Sequence, residues 1–196
     1  MRIIGGDLKG KKILLPEDSN TRPLRDMVKE SIFNVLIHSN KFKVKVENSK
    51  ILDLFSGVGS FGIEALSRSA KEITFVENYS KVIGILEKNI NNFGLYDRCK
   101  ILKFDIFEEY FYQRLNTEFN IIFIDAPFKE RNINFVIENI KKNNLLDKNG
   151  IIIFHRQTST QDDFGNDFKI LEKKNMVFQQ LFLGLIFYKN FFSFQS

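Results

Sequence analysis

Four acidic residues stand where successive apolar runs end, and their order suggests a ligand. Asp53 opens Asp53-Leu54-Phe55-Ser56-Gly57-Val58-Gly59-Ser60-Phe61-Gly62, and Glu77 closes Ile73-Thr74-Phe75-Val76. Asp105 follows Lys100-Ile101-Leu102-Lys103, and Asp125 follows Asn120-Ile121-Ile122-Phe123-Ile124. An ionised carboxylate only accepts hydrogen bonds. Asp53 can hold an ammonium or a water, Glu77 both hydroxyls of a ribose, and Asp105 an adenine amino group. Gly57 and Gly59 let the first turn bend tightly and let a ligand approach the backbone. One acid per strand end describes a molecule with an amino-acid part, a ribose and a base: S-adenosylmethionine. Solvated caps are the bland alternative. Gly57-x-Gly59-x-x-Gly62 also matches a dinucleotide fingerprint.

The fourth run ends Asp125-Ala126-Pro127-Phe128, a tight turn suited to an exocyclic amine. Asp125 can accept one N–H of the amine and the Ala126 carbonyl the other. Phe128 can stack on the flat base. Together these aim the nitrogen lone pair at a methyl group.

The elements that must position these residues follow from periodicity. Residues 1–15 predict a hairpin, Arg2-Ile3-Ile4 against Lys12-Ile13-Leu14-Leu15 around Gly5, Gly6 and Gly10. Pro23 predicts a helix start, and Leu24, Val28, Ile32 and Val35 or Leu36 recur at helical spacing to about His38. Residues 39–49 form a Lys-rich connection. From Lys50, strands and helices alternate. Strands are expected at 51–55, 73–77, 100–103, 120–124 and 151–154, and helices run to about Ser69, from Ser80 as cap to Gly94, over 107–115 and over 132–143. Late strands near 168–171 and 181–188 give an antiparallel finish. This is an α/β chain with a parallel sheet covered on both faces, whose ligands bind beyond the strands' carboxyl ends.

Composition narrows the class. The 196 residues suffice for one domain. A single cysteine, Cys99, excludes an intrachain disulfide, and with only His38 and His155 beside it a His/Cys zinc site is not expected. No apolar run reaches membrane-span length, and Met1-Arg2-Ile3-Ile4-Gly5-Gly6 lacks a signal peptide's apolar stretch. A cytoplasmic protein without metal or membrane partner is expected. The net charge of +5 lies wholly in the first quarter: residues 1–50 hold 11 Lys/Arg against 6 Asp/Glu. Arg2, Lys9, Lys11, Lys12, Arg22 and Arg25 form a candidate phosphate-binding patch, with solvated surface charge as the alternative.

The strand-end set resembles class I methyltransferases acting on exocyclic amines, whose fourth-strand motif is Asp or Asn, Pro, Pro, then an aromatic. Here Ala126 replaces the first Pro. A narrower resemblance covers nearly the whole chain. Met1-Arg2-Ile3-Ile4-Gly5-Gly6, Leu8-Lys9-Gly10, Thr21-Arg22-Pro23 and Val28-Lys29-Glu30-Ser31-Ile32-Phe33-Asn34 are similar to the N-terminus of one bacterial family. Asp53-Leu54-Phe55-Ser56-Gly57 and Gly62-Ile63-Glu64-Ala65-Leu66-Ser67-Arg68 fit it too. It is the 16S ribosomal RNA guanine-N2 methyltransferases, acting on guanine 966 of the small subunit. The resemblance implies a Rossmann-like sheet of seven mostly parallel strands with an antiparallel last strand, plus a short N-terminal hairpin–helix extension. It implies residues 1–49 as an RNA-binding extension and 50–190 as the catalytic core. Donor contacts fall to Asp53, Phe55, Ser56, Gly57, Gly59, Glu77, Asp105 and Ile106, and catalysis to Asp125, Ala126, Pro127 and Phe128. The implied partner of a monomeric enzyme is 16S rRNA or a small-subunit assembly particle.

Rival readings are a methyltransferase on DNA adenine or another RNA, an NAD-dependent oxidoreductase, and an inactive RNA-binding protein. The oxidoreductase explains Gly57, Gly59, Gly62 and Glu77 but gives no role to Asp53, Asp105 or the Asp125–Phe128 turn.

Overall fold

The computed structural model describes residues 1–17, 24–127, 129–130, 132–159, 164, 168–176 and 179–186. The elements are α1 (Asp26–His38), β1 (Lys50–Leu54), α2 (Ser60–Ser67), β2 (Glu72–Val76) and α3 (Ser80–Asn92). Then come β3 (Cys99–Leu102), α4 (Glu109–Gln113), β4 (Phe119–Ile124), α5 (Ile133–Lys142), β5 (Leu146–Gln157), β6 (Phe168–Met176) and β7 (Gln179–Ile186). One sheet holds all seven strands in the order β3-β2-β1-β4-β5-β7-β6. β1 to β5 pair in parallel, and β7 runs antiparallel to both β5 and β6. The strand order reverses at β1 and β4, so a crevice opens at the carboxyl ends of these two neighbours.

Strand parity sorts the core into two layers. Ile51, Ile73, Phe75, Ile121, Phe123, Ile151 and Ile153 point to the face covered by α1, α2 and α3. Leu52, Leu54, Val76, Ile122, Ile124, Ile152 and Phe154 point to the face covered by α4 and α5. The central strands are apolar on both faces, as parallel strands between helix layers must be. On the first face α1 docks through stacked rings: Phe33 lies 5.4 Å from Phe61, and Phe61 lies 4.0 Å from Phe123 of β4. Residues 1–49 contribute Ile3, Ile13, Leu24, Val28 and Phe33 to that same core layer.

Several expected elements differ. The hairpin is a single antiparallel bridge, Arg2 to Lys12. Backbone bonds cross it from Ile3 N–H to the Lys11 carbonyl at 2.9 Å and from Ile13 N–H to the Met1 carbonyl at 3.0 Å. Further bonds tie it to α2 and α3, with Asp7 N–H donating to the Ser67 carbonyl and Leu14 N–H to Asn89 Oδ1. Gly6 and Gly10, at φ 73° and 87°, curl the chain out of strand geometry. α1 begins at Asp26 rather than at Pro23, which lies outside the described residues. Ser80 is the first residue of α3 rather than its cap; Tyr79 occupies the cap position. Gly94 does end that helix, at φ 64°, with Leu95 N–H closing onto the Ile90 carbonyl. The fourth helix is shorter than 107–115, and β5 extends well beyond 151–154 at both ends. β6 runs past 171 to Met176; residues 187–188 and the Phe191–Phe194 tail lie outside the described residues.

Candidate active site

β1 delivers Asp53 to the crevice. Its Cα is paired with Phe75 on one side and Phe123 on the other, and its side chain is buried. Oδ2 accepts the backbone N–H of Gly62 at 3.1 Å, in the first turn of α2. Oδ1 is buried with no hydrogen-bond partner, as is Ser56 Oγ. Burial pushes the Asp53 carboxyl well above its ordinary range. The Gly62 bond opposes this, and the negative charges of Asp125 and Glu77 add to it.

The loop after β1 is held in uncommon geometry. Phe55, Gly57 and Gly59 all have positive φ, at 60°, 54° and 82°. A left-handed phenylalanine stores strain of a kind concentrated at ligand sites. At Gly59 a Cβ would lie 2.4 Å from Leu86 Cδ1, so this glycine also lets the loop pack onto α3. Gly62 likewise lets α2 pack onto β2, where a Cβ would stand 2.3 Å from the Phe75 ring.

At the end of β2, Glu77 is fixed by backbone donors. Oε2 accepts from Gly57 N–H at 2.9 Å, and Oε1 accepts from Asn78 and Tyr79 N–H at 3.0 and 2.9 Å. One carboxylate thus joins the first strand-end loop to the start of α3. Asp105 is exposed, and Oδ1 accepts Phe107 N–H at 2.9 Å. Ile106 is buried, and its carbonyl accepts from Tyr112 Oη–H at 2.8 Å. The Phe107 ring lies 5.9 Å from that of Phe55.

β4 delivers Asp125, whose backbone N–H points to the Leu54 carbonyl at 3.4 Å. Asp53, Phe55, Ser56, Gly57 and Asp125 line one cleft with Val58, Ser60, Phe61 and Phe123, and Leu24, ahead of α1, closes its side. Gly59, Glu77, Asp105 and Ile106 stand outside that lining. Ala126 is buried toward α5 and Pro127 is exposed; Phe128 lies outside the described residues.

Two neighbours on β5 complete the site, and the expected residue set lacked both. His155 Nδ1 lies 2.7 Å from Asp125 Oδ1. Arg156, fully buried, donates from Nη1 to the Ala126 and Pro127 carbonyls, both at 3.2 Å, and from Nη2 to the Glu130 carbonyl at 2.6 Å. They are the first polar residues after Ile151-Ile152-Ile153-Phe154. The strand-end rule that picked out Asp53 and Asp125 would have found them had it been applied to the fifth strand.

Arg2, Lys9, Lys11 and Lys12 lie on the N-terminal hairpin, with Arg2 and Lys12 facing each other across its bridge. Arg2, Lys9, Lys11, Lys12 and Arg25 are exposed, and Arg22 lies outside the described residues. Arg2 pairs with Asp26 at 3.6 Å, and Lys11 Nζ lies over the Phe93 ring. The Gly5–Gly10 turn, carrying Lys9, sits against Ser67 at the far end of α2 from the cleft. Eight residues of helix separate these ends by about 12 Å. Among the described residues there is no cluster that could hold a metal and no helix long and apolar enough to cross a membrane.

Residues 1–183 match the model of the family described as Conserved hypothetical protein 95. Ribosomal RNA small subunit methyltransferase D of Buchnera aphidicola (subsp. Acyrthosiphon pisum) is 30% identical over 172 residues, covering 88% of this chain and 86% of that protein. The protein of the same name from Escherichia coli K12 is 32% identical over 143 residues, covering 71% and 68%. Among solved structures, the Escherichia coli protein yhhF, described as a methyltransferase, superposes with TM-score 0.79 at 26% identity, covering 94% of this chain and 96% of that one. The Streptomyces viridochromogenes rRNA methyltransferase aviRa shares the fold at 12% identity and TM-score 0.67, covering 86% and 88%. The chain belongs to the Conserved hypothetical protein 95 family, the bacterial family that includes the small-subunit ribosomal RNA methyltransferases D.

Proposed function

We propose that this enzyme transfers a methyl group from S-adenosylmethionine to the exocyclic N2 amine of a guanine in 16S rRNA. The observation that carries the reading is the joint lining of one cleft by Asp53 and Asp125, from the ends of neighbouring strands β1 and β4. The chemistry of the cleft suits the charged end of the donor. Asp53 Oδ1 and Ser56 Oγ are buried there without partners, and Asp53, Glu77 and Asp125 bias the site toward a cation. When bound, the donor supplies an electrophilic methyl on a positively charged sulfur.

The protein's own residues divide the remaining work. Asp53 and Ser56 would take the amino-acid end, and Glu77, already oriented by three backbone N–H groups, the ribose hydroxyls. Asp105 and Ile106 are proposed at the base. A guanine amine is a poor nucleophile because its lone pair is delocalised into the ring. Asp125 and the Ala126 carbonyl would accept its two N–H groups and align the lone pair, and such positioning lowers a barrier by several kcal/mol. The Asp125 carboxylate also opposes the positive charge that develops on nitrogen. Phe128 is assigned to stacking on the extruded base. Residues 1–49, with Arg2, Lys9, Lys11, Lys12, Arg22 and Arg25, are proposed to hold RNA for the catalytic unit at 50–190. The reading takes the protein as a cytoplasmic monomer acting on 16S rRNA or an assembly particle.

Labelled methyl transfer to small subunits, naked rRNA and DNA, followed by mapping of the modified base, tests this. N2-methylguanine in 16S rRNA is expected. Label in DNA adenine, or in no nucleic acid, overturns it.

A further inference from the structure

We infer that His155 is a positioning residue for Asp125, holding its carboxylate in the orientation that faces the acceptor amine. The inference rests on the function proposed above. Its basis is the register between β4 and β5. Phe123 pairs with Ile153 and Ile124 with Phe154, so the next row sets Asp125 beside His155. Both side chains then project on the face that carries Asp53 and Phe123. The imidazole is buried, and on its other side its strand neighbour is Leu181 of β7, itself fully buried.

The chemistry of the pair is directional. A carboxylate offers no proton, so at 2.7 Å the Nδ1 atom must donate to Oδ1. This fixes one oxygen of Asp125 and leaves Oδ2 for the cleft. The restraint is needed because the terminal torsion of an aspartate is soft. Asp125 also sits close enough to Asp53 for their charges to interact. Without a donor on Oδ1, the Asp125 carboxylate is free to rotate out of the orientation that faces the amine. Arg156, one residue on, points to the opposite face of the sheet and holds the turn's backbone rather than its carboxylate. The division of labour between consecutive β5 residues follows from strand parity.

The test compares His155→Leu with His155→Asn. Leucine fills the volume with no donor, and the asparagine amide can donate near the position of the Nδ1–H. In His155→Leu, kcat for rRNA methylation is expected to fall about 10- to 100-fold, the scale of a 1 Å misplacement, with donor KM within about threefold. His155→Asn should recover most of that loss. Full activity in His155→Leu overturns the inference, and so does an equal loss in both variants, which would mark a packing role. The second measurement is the imidazole NMR spectrum of the nitrogen-15-labelled full chain. A protonated Nδ1 with a downfield proton is expected, moving in Asp125→Asn. An Nε2–H tautomer with bare Nδ1 overturns the inference whether or not the variants fold. If wild type methylates no RNA, the function reading fails and the spectrum alone decides the pairing.

Discussion

The Asp53 carboxylate accepts the backbone N–H of Gly62 with one oxygen and buries the other without a partner. The first contact caps α2, because Gly62 is one of the early helix amides with no partner inside the helix. The second oxygen is an unmet demand, and it costs the ligand-free protein stability. A carboxyl raised above its ordinary 3.8 in the folded state keeps a proton that the unfolded chain has already lost. Its contribution to stability is therefore full below that value, declines as pH rises, and levels off above the folded-state pKa.

Asp53→Asn keeps an acceptor for Gly62 and removes the buried charge. The ligand-free variant should melt above wild type, and the gap should widen as pH rises above the ordinary carboxyl value of 3.8. Its donor affinity should fall roughly tenfold or more, the scale of a lost charged hydrogen bond. Thermal melts across pH and calorimetric titration read the two effects, and a variant that melts below wild type at neutral pH contradicts the assignment.

Glu77→Gln tests the three-donor carboxylate. An amide accepts at one end only, so its NH2 group must confront either Gly57 N–H or the Asn78 and Tyr79 pair. Donor binding should weaken by about 1.5–3 kcal/mol, roughly ten- to a hundredfold. Unchanged affinity in titration would mean that the ribose is held elsewhere.

Asp125→Ala should leave donor affinity within a few-fold while removing most methyl transfer, since the proposed role of Asp125 is toward the acceptor. Equilibrium binding and single-turnover transfer on one preparation separate the two. Full transfer by this variant would remove the fourth-strand turn from the chemistry.

Arg156→Met removes the side-chain donors from the Ala126 and Glu130 carbonyls, while the Pro127 carbonyl keeps the Glu130 N–H. A cost on the order of 3 kcal/mol is expected in urea unfolding, because each buried acceptor left unmet costs about 1–3 kcal/mol and water can reach some of them. Arg156→Lys should recover part of it. An unchanged unfolding midpoint in Arg156→Met would show that the turn holds itself.

Replacing Lys9, Lys11 and Lys12 with Gln measures the N-terminal patch. If all three touch phosphates, the slope of log RNA affinity against log salt should flatten by up to about 2, at about 0.7 per contact. The position of the Gly5–Gly10 turn by Ser67 makes a smaller change for Lys9 the sharper expectation. Binding measured over a salt series decides, and parallel lines for wild type and triple variant would take this segment off the RNA surface.

The sequence by itself determined the alternation of strands and helices, the antiparallel finish and the strand-end acids, because each is written in a few adjacent residues. Periodicity places Asp53 and Asp125 at strand ends, and Gly94 stops a helix wherever the helix lies. Only the tertiary structure decided how the acids are held. Glu77 meets Gly57 across twenty residues, and His155 meets Asp125 across thirty. The N-terminal segment was legible only in part. Its glycines and apolar residues spell a hairpin, which backbone bonds between Ile3 and Lys11 and between Ile13 and Met1 close, but its docking on Glu64, Ser67 and Asn89 of α2 and α3 is not written locally. Such contacts depend on register between distant elements, and side chains acquire that register only when the sheet has formed around them.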